Sequence, residues 1–144
     1  MRTRILLLVC IAVCSILVVV TWAQRSVPLR TLPFSPARKA GQTLYVSGQV
    51  PRTADGQDVR ESVEAETRQV MENIGRVLRD NGYGFDDVVN ATVYLKDIND
   101  YQEMNKVYAS YFKNGFPARA TVGGVEIVFG FKVEISCVAY KVGN

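Results

Sequence analysis

The segment that most restricts the fold is Val133–Tyr140, VEISCVAY, where Val133, Ile135, Cys137 and Ala139 fall on one side and Glu134, Ser136 and Val138 on the other. Alternation with a period of two describes a β-strand with two chemically different faces. It is the second of two strands expected between Pro117 and Tyr140, separated by glycines and rich in Val, Ile and Phe. Two charges stand out there: Arg119, just after the turn at Pro117, and Glu134, inside the last strand. Arginine keeps its charge, and its planar fork pairs best with a carboxylate or phosphate. A glutamate among β-branched residues is costly to bury unless it is paired or has chemical work. Two readings follow. Either Arg119 and Glu134 form a structural ion pair or face solvent, or, from neighbouring strands, they face one shared pocket for a small anion whose protons must be moved.

The rest of the composition narrows that chemistry. The chain has no histidine, so His-based triads and His-based metal sites are excluded. Of three cysteines, Cys10 and Cys14 lie in an apolar leader and only Cys137 lies beyond it, so no disulfide can close within the domain. The leader is Met1–Ala23: Arg2 and Arg4, then 19 uncharged residues from Ile5 to Ala23. Such a run exceeds the ~7–15 residues of a signal core and nears the ~20 that span a membrane. Thr21-Trp22-Ala23 offers small residues for cleavage before Gln24. A signal peptide and a signal-anchor helix both fit residues 1–23, followed by a linker over 24–32 and a domain over 33–144. The chain is then secreted or extracytoplasmic, or held to a membrane through residues 5–23 alone. Arg25, Arg30, Arg38 and Lys39 beyond the run leave its orientation open. Without residues 1–23, Lys+Arg falls from 17 to 15 against 14 Asp+Glu, and this near-neutral domain has no basic stripe for nucleic acid.

Along the domain, Thr43–Val50 alternates as a strand, with Ser47-Gly48 interrupting it either as a β-bulge or where backbone approaches a ligand. Asp58-x-x-Glu61 has the form of a capping box opening a helix that runs to Asp80 and stops at Asn81-Gly82. Val63, Val70, Met71, Ile74, Val77 and Leu78 form its buried stripe, and no site is expected on it. Asp86–Lys96 is a strand with Val89, Ala91, Val93 and Leu95 on one face. Asn99-x-x-Gln102 caps a second helix to about Phe112, whose inner stripe is Tyr101, Met104, Tyr108 and Tyr111. Asn105 sits mid-helix, where asparagine has no propensity reason to be. The order is strand(s), helix, strand, helix, strand, strand: an α+β domain with two helices on one face of a mixed sheet. With no third helix to cover the other face, self-association into a closed oligomer is the economical solution.

Several ordered pieces carry a resemblance. They are Pro33-Phe34-Ser35-Pro36-Ala37, Tyr45-Val46-Ser47-Gly48-Gln49-Val50-Pro51, Thr67 to Ile74 and Asp97-Ile98-Asn99-Asp100-Tyr101. Asn105-Lys106-Val107-Tyr108, Pro117-Ala118-Arg119 and Gly130-x-x-Val133-Glu134-Ile135 complete the set. Over Pro33–Val142 the chain resembles the Rid (YjgF) family of enamine/imine deaminases, also known as the L-PSP endoribonuclease-like family. The resemblance implies a chorismate-mutase-like α+β fold, preceded here by the apolar N-terminal helix, and a homotrimer with clefts between subunits. It implies hydrolysis of enamines and imines such as 2-aminoacrylate and 2-iminopropanoate to a 2-keto acid and ammonia, with no metal or organic cofactor.

Residue by residue, Arg119 matches the arginine that holds the substrate carboxylate and Glu134 the glutamate that positions the attacking water. Ser47, Gly48 and Asn105 match polar groups lining the cleft. Val125-Glu126-Ile127 is a decoy for the glutamate motif, because only Glu134 has a glycine three positions before its valine. Two positions depart from the family: Phe34 stands where tyrosine is usual, and Thr121 where cysteine is usual. These substrate-side changes keep a non-catalytic carboxylate-binding module in view beside the deaminase. Ribonuclease activity comes only with the family's other label, and the missing histidine argues against it.

Overall fold

The computed structural model describes residues 33–142. The signal peptide or anchor expected over 1–23 and the linker expected over 24–32 lie outside the described residues. Among those described, no helix is long and apolar enough to cross a membrane.

Seven main elements form in chain order: β1 (Ala37–Ala40), β2 (Thr43–Gln49), α1 (Val63–Asp80), β3 (Val88–Leu95), α2 (Tyr101–Ala109), β4 (Ala118–Gly123) and β5 (Val133–Tyr140). They make one mixed sheet in the order β1-β2-β5-β3-β4, in which only β3 and β4 run parallel. A parallel pair needs a long crossover, and α2 supplies it. Both helices lie on one face, as their stripes require. Val70, Met71, Ile74, Leu78, Met104 and Tyr108 pack with Leu44, Val46, Ala91, Val93, Val133, Ile135, Cys137 and Ala139 in a single core. The alternation of β5 holds throughout: its odd residues Val133 to Ala139 are buried, while Glu134, Ser136 and Val138 are half-buried on the open face.

Four local expectations are corrected. Helix α1 begins at Val63, not near Asp58, because Ser62 is the cap and its hydroxyl accepts from the Ala65 N–H at 3.2 Å. The Asp58 carboxylate is taken by Arg52 at 2.7 Å and Arg60 at 2.9 Å. Helix α2 is entered through a turn at Ile98–Asp100, where Asp97 rather than Asn99 caps by accepting from the Asn99 N–H. It ends at Ala109, where the Ser110 hydroxyl bonds back to the Val107 carbonyl at 2.7 Å. Val89 faces solvent, since a register shift between Val88 and Asn90 buries Val88 in its place. Finally, β4 and β5 are not neighbours: β3 lies between them.

The sheet face without helices carries Tyr45, Tyr94 and Val122, which are 52%, 36% and 42% exposed. An antiparallel-rich sheet can leave one face in water, but tyrosines and valine there present an apolar surface.

Candidate active site

Arg119 is the second residue of β4, the edge strand, in register with Ala91 of β3. Ala91 is itself in register with Cys137 of β5, and both are buried beneath the helices. Residues in register share a face, so the guanidinium stands on the helix-covered side. There its central carbon lies 4.6 Å from the centre of the Tyr108 ring and 5.7 Å from that of Tyr101. Arg119 Nη2 also donates to the Tyr101 hydroxyl at 3.3 Å. Rings hold a guanidinium in place without neutralising it. No carboxylate pairs with Arg119 among the described residues. The guanidinium instead opens on a groove of about 380 Å³ lined with Asn105, Tyr108, Ala109, Phe116 and Pro117. Thr121, two residues along β4, is half-buried on the same face. Asn105 and Thr121 therefore belong with Arg119.

Glu134 lies on the other side. It is in register with Tyr94 of β3, which in turn is in register with Val122 of β4, so it projects from the bare face of the sheet. No hydrogen bond or cation reaches it among the described residues, and burial alone pushes its carboxyl above the ordinary value of 4.5. Its neighbour across the strand is the Ser47-Gly48 bulge, where β2 spends two residues between the pairs Val46↔Cys137 and Gln49↔Ile135. A Cβ at position 48 would sit 1.9 Å from Glu134 Oε1. Only glycine lets the backbone come this close. The two readings of this dipeptide thus merge: it is a bulge, and what its backbone approaches is the Glu134 carboxylate. The Ser47 hydroxyl bonds to the Ser35 and Pro36 carbonyls, each at 2.8 Å. It ties down the segment that carries Phe34, which is 59% exposed. Ser47, Gly48 and Glu134 form a second cluster, and Ser47 tethers beside it the segment that carries Phe34.

Arg119 and Glu134 do not share a pocket within one chain. The expectation that they come from neighbouring strands is overturned, since β3 separates their strands and they occupy opposite faces. The ion-pair reading falls for the same reason. Glu126 has an 88% exposed side chain in a loop, 4.0 Å from Lys96.

Three contributions escaped the sequence reading. Tyr101 was assigned to the core stripe, yet its hydroxyl reaches Arg119. A hydrogen bond from Asn105, then the Arg119 charge, hold its phenol below the usual 10.0. Glu66 was overlooked on a helix thought to carry no site. It is buried, and its carboxylate accepts from the Lys132 N–H at 2.7 Å, fixing the start of the strand that bears Glu134. The signal was present, because Val63, Glu66, Thr67 and Val70 share helical spacing and place two polar residues on the apolar stripe. Phe129 adopts a left-handed backbone (φ 59°) in the turn before β5. Arg60 holds it there by donating to its carbonyl at 3.0 Å, and Arg52 stacks on its ring at 4.5 Å.

Comparison with known proteins adds the following. Residues 25–141 match the family model described as Endoribonuclease L-PSP. A RutC family protein of Pyrococcus horikoshii is 44% identical over 110 residues, which cover 76% of this chain and 87% of that protein. The human 2-iminobutanoate/2-iminopropanoate deaminase is 40% identical over 110 residues, covering 76% of this chain and 80% of that one. Among solved structures, a putative endoribonuclease from Thermotoga maritima superposes with a TM-score of 0.76 at 33% identity, covering 79% of this chain and 91% of that one.

Proposed function

The chain belongs to the endoribonuclease L-PSP family, the Rid (YjgF) proteins, and from that membership and the two charged clusters we propose that it hydrolyses 2-imino and enamine carboxylates to 2-keto acids and ammonia. The observation that carries this reading is an arginine with no acidic partner among the described residues, stacked on two tyrosines beside an open groove. An unneutralised guanidinium held by rings is preorganised for an external carboxylate. Since Glu134 stands on the opposite face, the site is assembled between copies: the Arg119 groove of one chain meets the Glu134 cluster of the next, in a closed ring of three. This arrangement also covers the apolar sheet face bearing Tyr45 and Tyr94.

In the assembled site Arg119 grips the carboxylate through two parallel N–H donors and so fixes the imine carbon. Glu134 accepts a proton from water as the water attacks that carbon. Its raised affinity for protons, a consequence of burial, strengthens it as a base relative to an exposed carboxylate. The proton on Glu134 passes to the former imine nitrogen. Glu134 then takes the proton of the adduct's hydroxyl and hands it to the amino group, which departs as ammonia while the C=O bond forms. An enamine enters this sequence as its imine tautomer. No step requires a metal or cofactor.

Mixing two dead variants tests both parts together. Arg119→Ala and Glu134→Ala are each expected to be inactive toward enzymatically generated 2-iminopropanoate. Co-folded in equal amounts, they should recover about a quarter of wild-type activity, since one site in four takes its arginine and its glutamate from intact sources. No recovery on mixing, with a mixed oligomer shown to form, would refute the shared site. Wild type no faster than the single variants, yet binding pyruvate saturably, would leave a carboxylate-binding module instead.

A further inference from the structure

The Tyr101 hydroxyl has one proton and two lone pairs. One lone pair accepts from Arg119 Nη2 at 3.3 Å, and the Asn105 amide, one helical turn along α2, stands on the same side and favours the same oxygen. The proton finds no acceptor among the described residues. It sits beside the guanidinium that faces the groove, where every other polar contact already donates toward this oxygen. An O–H whose oxygen accepts from Arg119 and which has no acceptor among the described residues is free to donate to an oxygen from outside the chain.

We propose that Tyr101 is a third donor of the carboxylate cradle, its hydroxyl proton going to the same substrate oxygen that accepts from Arg119 Nη2. An oxygen about 2.8 Å from Nη2 fits within hydrogen-bond reach of a hydroxyl 3.3 Å from that nitrogen. The inference rests on the reading of Arg119 as the carboxylate anchor and adds a ligand contact to it. Asn105 takes a defined part too: by donating to the phenol oxygen it turns the hydroxyl proton outward. The arrangement selects for an anionic acceptor, because a ligand with an amide or ester in place of the carboxylate supplies a weaker acceptor to three donors.

The cradle has a built-in dependence on pH. Once the phenol ionises it can no longer donate, and its negative charge pairs with Arg119 and competes with the carboxylate. Two groups face the phenol or its partner: Arg119 from β4, which stays charged, and Tyr108 from α2, which burial pushes up to about 12. Tyr101 therefore titrates before either.

Calorimetric titration with pyruvate, on the assembled wild type and on Tyr101→Phe and Arg119→Ala, tests this. Phenylalanine keeps the ring under the guanidinium and removes only the hydroxyl. Its Kd for pyruvate should rise about tenfold at neutral pH. Wild-type affinity should decline as the pH is raised towards 10, because the phenol ionises below its ordinary value, while that of Tyr101→Phe stays level. Tyr101→Phe binding like wild type, with Arg119→Ala impaired, overturns the inference and leaves the carboxylate anchor standing. Parallel alkaline losses in wild type and Tyr101→Phe also overturn it, because the hydroxyl is then merely structural. Wild type binding no better than Arg119→Ala removes the anchor and this inference together. Should Tyr101→Phe not fold, the wild-type profile decides alone, and an affinity unchanged to pH 10 is the refuting result.

Discussion

On the helix-covered face Arg119 is fixed by what is added around it: two tyrosine rings from α2 and one hydroxyl, none of which cancels its charge. On the bare face Glu134 is fixed by what is taken away, since at Gly48 a missing side chain leaves room for its carboxylate. Among the described residues, the charge of Arg119 on one face and that of Glu134 on the other have no ionic partner. A protein that only needed stability would have satisfied both locally, because a half-buried charge without a partner costs free energy. The comparison teaches that an incomplete site can be recognised by complementary deficits on two surfaces of a single chain.

The sharpest way to break this contrast is at Glu134. Glu134→Gln should lower kcat by about 10²- to 10⁴-fold with KM nearly unchanged, if the carboxylate acts as base and not as binder. In wild type the group must be ionised to work, so kcat should fall as pH drops, with a midpoint above 4.5 because burial raises the folded pKa. Steady-state rates across pH check both statements, and an equal rise in KM would reassign the residue to binding.

Gly48→Ala comes next. The added Cβ meets the flexible end of Glu134 and not backbone, so the carboxylate swings aside at little cost to stability. A loss of about 100-fold in kcat is expected, with a melting temperature close to wild type. In a Glu134→Gln background the same change should do almost nothing more. An undiminished kcat in Gly48→Ala would show that the close approach has no part in aiming the carboxylate.

The Arg119 face should respond in the other kinetic constant. Arg119→Lys retains charge but loses the fork and the stacking on Tyr101 and Tyr108, so KM should rise about tenfold while kcat holds within a few-fold. The smallest effect is expected at Ser47→Ala. Its hydroxyl is engaged with the Ser35 and Pro36 carbonyls, so the change should cost about 1 kcal/mol in denaturant unfolding and leave turnover largely intact. A large fall in kcat without loss of stability would instead make Ser47 a substrate contact.

Much of this was legible residue by residue. The stripe of α1, the bulge at Ser47-Gly48 and the two-faced β5 all follow from local periodicity and from glycine. The positions carrying the family resemblance fall in two places: Arg119 with Asn105 and Thr121 on the helix-covered face, and Glu134 with Ser47 and Gly48 on the other. Other features were misjudged because one side chain was claimed by a partner remote from its local pattern. Asp58 reads as a cap until Arg52 and Arg60 take it, and Tyr101 reads as core until Arg119 draws its hydroxyl.

The sequence by itself determined which segments are strands and helices, which side of each is apolar, and that an arginine and a glutamate stand out among apolar neighbours. These are consequences of short-range sterics and of periodicity, written into consecutive residues. Only the tertiary structure decided that β3 runs between β4 and β5 and that the two charges leave the sheet in opposite directions. Strand order and register depend on which hydrophobic faces pack together across the whole domain, and no local pattern encodes that choice.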